Sequence, residues 1–255
     1  MKTVKFSDGL AVHGDCTSDD VVCEVMSYLG VDTKIPLIIC DPPYGNVTKE
    51  KWDVTLKDDD QYADWMLSWT KQWKTFLVLG GAFYVWGGLG TPGFRPFFKY
   101  LSSAESVDFQ LANVITWSKR RAYGLKHNYL YTREELAYFV NGPAKKPHKF
   151  NIPLLSTKRG YAGYNKKYPA KSEFYRRTNV WSDINEIFRG KVHPTQKPQR
   201  VIEVPIEVHT DPGDYVVDMF AGSGVTALAA RKLGRKFVVI EKDKKIFDLM
   251  VKRLT

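Results

Sequence analysis

Short apolar runs and amphipathic segments succeed one another along this chain, which is the pattern of an α/β domain. The run Thr33–Cys40 is apolar and rich in β-branched residues, and it predicts a buried parallel strand that ends at Asp41. Further strands are predicted over residues 83–86, 111–117 and 135–140. Trp65, Trp69 and Trp73 recur every four residues, so residues 61–73 are predicted to form a helix that packs these rings in the core.

The pattern is interrupted once and then resumes. From residue 142 to about 189 the periodicity disappears, and Pro, Gly, Lys and Tyr dominate. A helix is then predicted over 199–209, a strand over 215–219, a helix that ends at Leu233, a strand over 237–240 and a last helix that ends at Arg253. We therefore predict one domain, formed by residues 1–141 and 183–255, with a small insert over 142–182.

The composition narrows the class of protein. A chain of 255 residues can bury a large core without disulfides or metals. The three cysteines match no zinc or disulfide spacing, so we expect reduced thiols and no metal site. The N-terminus has no signal-like apolar region, and no run approaches the ~18 apolar residues of a membrane span. We expect a soluble, cytosolic protein.

The net charge of +10 is concentrated in the insert. Residues 141–182 contain ten basic residues against one acid, Glu173, and they account for nine of the ten net charges. A basic patch of this kind is typical of a surface that binds a polyanion, and nucleic acid is the first candidate. A flexible, solvated loop is the alternative. The basic residues are Lys145, Lys146, Lys149, Lys158, Arg159, Lys166, Lys167, Lys171, Arg176 and Arg177.

A glycine loop near the C-terminus predicts an adenosine cofactor. In FAGSG, Gly222 and Gly224 allow a tight turn and a close approach of the backbone to a ligand. Glu241 follows Gly222 by 19 residues, which suits a carboxylate that binds ribose hydroxyls. This pattern alone leaves NAD and S-adenosylmethionine open. Only 14 residues follow Glu241, so the remaining strands must precede the loop, and we predict a circularly permuted sheet.

The string DPPY suits the activation of an amino group. Two prolines restrict the backbone, so the carboxylate of Asp41 and the carbonyl of Pro42 can both face one small volume. Such a pair accepts both hydrogens of an exocyclic amine and localises its lone pair on nitrogen. Tyr44 offers a flat face for an extruded base. Asp15 is expected to follow the third strand and reach an adenine amine, or alternatively to cap a helix.

The motifs together resemble a known family. DPPYG, WSK, REELAYFVNG, HPTQKP, PGD, FAGSG and a late IE closely resemble the β-group of DNA amino-methyltransferases, and they cover nearly the whole chain outside the insert. The resemblance implies a permuted, Rossmann-like α/β fold of the S-adenosylmethionine-dependent methyltransferases, with the insert as target-recognition element. It implies site-specific methylation of a flipped base in double-stranded DNA, as in restriction-modification systems. It also implies a location in the cytoplasm of a bacterial or phage-infected cell.

The resemblance also implies particular residues. Asp41, Pro42, Pro43 and Tyr44 would be catalytic. Lys197 and Thr195 would bind the methionine carboxylate, whereas His193 is interpreted as structural. Val225 cannot donate a hydrogen bond where relatives have Thr, so Thr226 would compensate. The other predicted cofactor contacts are Asp15 and Cys16 at the adenine, Asp41 beside the methyl group, Glu241 at the ribose, and Phe220, Ala221, Gly222, Ser223, Gly224 and Thr226 around the methionine.

Several alternatives remain at this stage. Asp41, where some relatives have Ser, favours N6 of adenine by resemblance, but N4 of cytosine suits the same chemistry. RNA is a further substrate. A nucleic-acid-binding relative without activity and a nicotinamide oxidoreductase are rivals of other classes, although the latter leaves DPPY unexplained. The aromatic content permits a homodimer without requiring one. The tyrosines of the insert are expected to stack at bases: Tyr161, Tyr164, Tyr168 and Tyr175.

Overall fold

A computed structural model describes residues 1–30, 32–44, 58–88, 90–124, 126–143, 145–158, 172–186 and 196–255, with the backbone alone at 91, 92 and 123. The helices are α1 Asp19–Leu29, α2 Asp59–Lys74, α3 Gly90–Ser103, α4 Gln199–His209, α5 Val225–Lys232 and α6 Lys244–Leu254. The strands are β1 Lys2–Phe6, β2 Gly9–His13, β3 Ile35–Cys40, β4 Leu77–Gly87, β5 Phe109–Tyr123, β6 Tyr131–Asn141, β7 Leu154–Lys158, β8 Phe174–Arg176, β9 Val180–Trp181, β10 Tyr215–Asp218 and β11 Lys236–Glu241.

Nine of these strands form one central sheet in the order β1-β2-β11-β10-β3-β4-β6-β5-β9. The five adjacent strands β2, β11, β10, β3 and β4 are parallel to one another, whereas β1 is antiparallel to β2 and β6 is antiparallel to both β4 and β5. The strand that delivers Asp41 therefore lies beside the glycine-loop strand, because β3 pairs with β10. The predicted circular permutation is confirmed.

Helices cover both faces of the sheet, which explains why β3 is apolar at every position. All six residues of β3 are buried, with Ile38 and Cys40 in one core cluster and Leu37 and Ile39 in the other. The first cluster contains buried side chains of α1 and α2, and the second contains those of α4, α5 and α6. Burial on both faces removes the alternation of polar and apolar residues seen in one-sided strands.

The sequence-based elements are largely confirmed, with differences at their ends. Helix α4 has the predicted bounds, and α2 extends the tryptophan helix by two residues at its start and one at its end. The strands β5 and β6 are longer than predicted, because their polar ends continue as a ribbon beyond the core. The strand predicted before Asp15 is β2, whereas its partner β1 was not predicted, since β1 is short and half-exposed.

The predicted insert is joined to the main sheet. Its described part contains the two-stranded ribbon β7–β8 and the short strand β9, which pairs with β5 at Thr116 and Trp117. Residues 145–151 lie near the amino-terminal edge of the sheet, where His148 donates its N–H to the carbonyl of Gly80 at 2.7 Å. The division at residues 142 and 182 stays a prediction.

Candidate active site

A cavity of about 580 Å³ opens where β2, β3, β10 and β11 end, at the carboxyl edge of the sheet. Residues from distant parts of the chain meet there, including Asp15, Asp41, Lys197, Gly222 and Glu241. Open parallel sheets bind ligands at this edge, and volumes of ~300–1,000 Å³ are usual for such pockets. The N-terminal DPPY segment and the C-terminal glycine loop therefore share one cavity, as the sequence predicted.

The glycine turn forms one wall of the cavity. Gly222 has φ of +51°, and a Cβ built there would meet no atom of the described residues within 4 Å, so this position leaves open space for a ligand. Gly224 has φ of +79°, and a Cβ there would lie 2.7 Å from Cγ of Met250. The first glycine therefore gives a ligand access to the backbone, whereas the second is required by backbone conformation and helix packing.

Glu241 is held rigidly at the end of β11. Its carboxylate accepts the N–H of Gly222 at 2.8 Å and the N–H of Asp243 at 2.7 Å. Burial is the largest influence on this group, and it raises the pKa of Glu241 above its usual value. Each oxygen keeps a second acceptor position, so the carboxylate can accept from two ligand hydroxyls at once.

Asp218, at the end of β10, binds the hydroxyl of Thr226, which the sequence had assigned to the cofactor. Thr226 donates its hydroxyl to Asp218 at 2.5 Å, and the N–H of Phe220 donates to the other carboxylate oxygen at 2.9 Å. Burial raises the pKa of Asp218 to about 7 despite these two bonds. Thr226 lines the cavity, but its hydroxyl already donates to Asp218 and stabilises the turn. It therefore does not supply the hydrogen-bond donor that Val225 lacks.

Asp15 lies beside the Glu241 segment, where the N–H of Gly14 donates to the carbonyl of Glu241 at 3.0 Å, and it does not cap α1. Its carboxylate accepts from the backbone and the hydroxyl of Thr17 and forms an ion pair of 2.7 Å with Lys242. Ser18 occupies the cap position of α1 without a side-chain hydrogen bond. The capping alternative was therefore wrong, and Asp15 with its neighbour Cys16 lines the cavity.

An aromatic wall was missed by sequence analysis. Trp65 lines the cavity, and its ring meets the ring of Phe220 edge-on at 6.0 Å, while Trp69 packs behind Phe220 at 5.1 Å. The fourfold spacing was interpreted as core packing, which holds for Trp69 and Trp73, both fully buried. Trp65 lies on the same side of α2 as these two residues but nearer to the end of the helix that faces the cavity. Its ring is therefore only partly buried in the core.

The DPPY turn is braced from two sides. The hydroxyl of Tyr44 donates to Oδ1 of Asp41 at 2.8 Å, and Lys197 Nζ donates to Oδ2 at 2.7 Å. Behind them, Tyr62 donates its hydroxyl to the carbonyl of Pro43 at 3.0 Å. The carboxylate is thus fixed in orientation by a phenol and an ammonium, and Tyr62 fixes the backbone that carries it. Tyr62 was not singled out from the sequence.

Lys197 and Glu134 form a buried charge network with Asp41. Lys197 Nζ lies 3.1 Å from Oε2 of Glu134, with side chains only 8% and 7% exposed, and Lys119 also pairs with Glu134. Burial opposes both charges. The carboxylates of Asp41 and Glu134 nevertheless raise the pKa of Lys197, and the two lysines lower the pKa of Glu134. Two buried cations and two carboxylates therefore balance one another beside the cavity.

Glu134 was quoted from the sequence only as part of REELAYFVNG, with no function of its own. The sequence could have singled it out, because two acids interrupt a run that otherwise reads as a strand. Adjacent strand residues point to opposite faces, so only one of the two can face Lys197. Glu135 instead accepts from Thr116 at 2.7 Å and pairs with Arg133.

The structure brings nearly all predicted cofactor residues together. Every described one lines the cavity except Gly224, which turns the chain behind it, whereas Thr195 and His193 lie outside the described residues. Lys197 is at the cavity but binds Asp41 and Glu134, so its predicted contact with the methionine carboxylate stays a prediction. Pro43 also lines the cavity, while Pro42 is buried beside it.

The basic residues of the insert are dispersed. Arg177 is only 5% exposed in its side chain and makes a two-pronged ion pair with Asp183 at 2.6 and 2.7 Å. Lys149 pairs with Asp211 at the amino-terminal edge, while Lys145 and Lys146 are exposed nearby. Lys158 pairs with Glu173, and Arg176 lies over the ring of Phe150. Arg159, Lys166, Lys167 and Lys171 lie outside the described residues, as do Tyr161, Tyr164 and Tyr168.

The cavity suits an adenosine cofactor with a charged tail. It offers a hydroxyl-binding carboxylate at Glu241, an open backbone turn at Gly222 and an aromatic wall at Trp65. Asp41, from the DPPY turn, lines the same space. A permuted α/β sheet with this arrangement defines an S-adenosylmethionine-dependent methyltransferase. The DNA methylase family model, which covers N6 and N4 methyltransferases, matches residues 35–252, and the chain belongs to this family.

Known relatives agree with this assignment. The chain is 28% identical over 234 residues to the type II methyltransferase M2.LlaDCHI of Lactococcus lactis subsp. cremoris, covering 86% of this chain and 81% of that protein. It is 27% identical over 234 residues to the type II methyltransferase M2.DpnII of Streptococcus pneumoniae, with the same coverage. The protein is a site-specific, S-adenosylmethionine-dependent DNA methyltransferase.

Solved structures share its fold. The complex of M1.HpyAVI with S-adenosylmethionine superposes with a TM-score of 0.66 at 24% identity, covering 96% of this chain and 98% of that chain. The cytosine-N4-specific PvuII DNA methyltransferase superposes with a TM-score of 0.72 at 22% identity, covering 98% and 88%. In the described part of this chain, no helix is long and apolar enough to cross a membrane.

Proposed function

We propose that this enzyme methylates N6 of an adenine that is flipped out of double-stranded DNA. The observation that carries the proposal is the carboxylate of Asp41, braced by Tyr44 and Lys197 at the mouth of the cofactor cavity. The choice of adenine rests on Asp rather than Ser at the first position of DPPY. A homodimer and a bacterial cytoplasmic location stay predictions.

The residues of the DPPY turn activate the amine by accepting its hydrogens. Oxygens of Asp41 and the carbonyl of Pro42 would each accept one N–H, which draws the nitrogen toward tetrahedral geometry and localises its lone pair. When bound, S-adenosylmethionine supplies an electrophilic methyl group on a positively charged sulfur. The ring of Tyr44 would stack on the base, which offsets part of the few kcal/mol that unstacking costs.

The buried charge network orients this acceptor. Lys197 and Tyr44 occupy one acceptor position on each oxygen of Asp41, so the carboxylate cannot rotate away from the target. Each oxygen retains a further position for the amine. Pre-orientation of this kind matters because a misplacement of about 1 Å can cost about a hundredfold in rate. The network therefore supports Asp41 as an acceptor of fixed geometry.

Nucleoside mass spectrometry after methylation in vitro tests the target base. We expect N6-methyladenine in DNA incubated with the enzyme and S-adenosylmethionine. N4-methylcytosine is the second candidate, and the similarity of the fold to the cytosine-N4-specific PvuII enzyme favours it. If that nucleoside is the sole product, the adenine assignment is wrong while the chemistry stands.

A variant tests the assigned catalytic group. Asp41→Ala should lose methyl transfer while it still binds S-adenosylmethionine, because the glycine turn and Glu241 remain. Glu135→Gln is the matched control, since this buried carboxylate lies on the other side of β6 and pairs with Thr116 and Arg133. Full activity of Asp41→Ala, measured by transfer of labelled methyl groups to DNA, would refute the role of this carboxylate.

A further inference from the structure

The hairpin formed by β5 and β6 extends beyond the edge of the sheet that carries the cavity. The regular pairing ends at Ser118 opposite Arg133, one step past Trp117 opposite Glu134. After that point, four residues of β5 bulge before Tyr123 pairs with Tyr131. Because Glu134 belongs to the buried network around Asp41, the base of this hairpin adjoins the active site and its tip lies outside it.

The tip, residues 124 and 126–130, presents two adjacent apolar side chains to solvent. Tyr129 is 92% exposed and Leu130 is 59% exposed. The turn is organised rather than loose, since the side chain of Asn128 accepts the N–H of Tyr129 at 2.7 Å and donates to the hydroxyl of Tyr131 at 3.2 Å. A leucine and a tyrosine held together on an ordered tip are suited to enter an apolar or stacked environment.

The charge of the hairpin favours a polyanion as the partner. Residues 109–133 contain five Lys and Arg and no acid, and all five fall within 119–133. Two of the five are balanced by the acids that follow in β6, because Lys119 pairs with Glu134 and Arg133 pairs with Glu135. Arg120 and Lys126 are exposed on the bulge and the tip. The bulge itself is anchored, because the carboxylate of Glu186 accepts the N–H groups of Arg120 and Arg121 at 3.0 and 3.1 Å. DNA is the polyanion that this enzyme handles, so the hairpin is matched in charge to its substrate.

We propose that this tip enters the DNA duplex beside the target, where Tyr129 and Leu130 fill the space that the flipped base leaves. At ~3.3 Å per residue, the four or five residues from Glu134 to the pair reach up to about 13–17 Å from the active site. A two-stranded ribbon fits a major groove about 12 Å wide, and apolar side chains are inserted between base steps by other DNA-bending proteins. The proposal rests on base flipping, which belongs to the proposed function.

The test compares a paired with an unpaired target base. The double variant Tyr129→Ala/Leu130→Ala should lose about tenfold to a hundredfold in kcat/KM on a duplex with a paired target, because unstacking is no longer compensated. On the same duplex with a mismatch opposite the target, where flipping is already easier, the loss should shrink to about threefold or less. The variant should fold normally, because both side chains are exposed.

Leu79→Ala is the control, since this leucine is 78% exposed on β4, toward the amino-terminal edge of the sheet. It should leave kcat/KM unchanged on both duplexes. Equal losses of the double variant on paired and mismatched targets would overturn the proposal, as would no loss on either. If the wild-type enzyme methylates no DNA, the proposed function itself fails. That result is visible without any variant, so it is distinguishable from a failure of the hairpin proposal.

Discussion

Replacing Glu134 by Gln tests the buried network most directly. The substitution keeps the shape of the side chain but removes one of two carboxylates that balance Lys119 and Lys197. One buried positive charge is then uncompensated. Removing one partner of a buried ion pair typically costs about 3–5 kcal/mol, and the retained amide oxygen favours the lower end. At ~2–4 °C per kcal/mol for a domain of this size, we expect the melting temperature to fall by roughly 6–12 °C.

The effect should depend on pH with a defined sign. The lysines lower the pKa of Glu134 below its usual 4.5, although burial opposes them. The stabilisation is therefore fully present above pH 4.5 and is lost as the pH falls through the lowered folded value. Urea unfolding at several pH values should show wild type and Glu134→Gln well separated near neutrality and converging in acid.

Activity provides a second measurement. With Glu134 neutral, the charge of Lys197 is balanced by Asp41 alone, which makes Asp41 a weaker acceptor for the target amine. We therefore expect kcat to fall about tenfold to a hundredfold, the worth of one charged hydrogen bond. The control Glu135→Gln loses only an ion pair with the half-exposed Arg133 and should cost at most about 1 kcal/mol, with kcat unchanged. If both variants unfold at the same urea concentration and keep wild-type kcat, the network has no special function.

Three further substitutions probe the glycine turn, the aromatic wall and His209, which is buried at the end of α4. Gly224→Ala should lower the free energy of unfolding by about 1–3 kcal/mol in urea titrations, because φ is +79° and the new Cβ meets Met250. Trp65→Ala should weaken S-adenosylmethionine binding about tenfold by calorimetry, since the wall against Phe220 is lost, and unchanged affinity would contradict this. Burial lowers the pKa of His209 to about 4, so wild-type stability should fall between pH 6.5 and 4, and His209→Asn should flatten this slope in urea unfolding.

The sequence alone predicted the layered fold and its permutation. The apolar run before Asp41 predicted a strand covered on both faces, and the order of the motifs, with DPPY early and the glycine loop late, resembles that of the permuted methyltransferases. The glycines, Glu241 and DPPY were recognisable because their chemistry depends on residue types at short spacing. These features are local in the chain, so they can be read without knowing any distant contact.

The partners of the Asp41 carboxylate were decided only by the tertiary structure. Lys197 is 156 residues from Asp41, and Glu134 lies on a third segment, yet the three side chains meet within 3.1 Å. No spacing rule links such positions, because their approach depends on the order of strands in the sheet and on the face each side chain takes. The same reason applies to Arg177. The charge pattern of the sequence assigned it to DNA binding, but in the folded chain it pairs with Asp183.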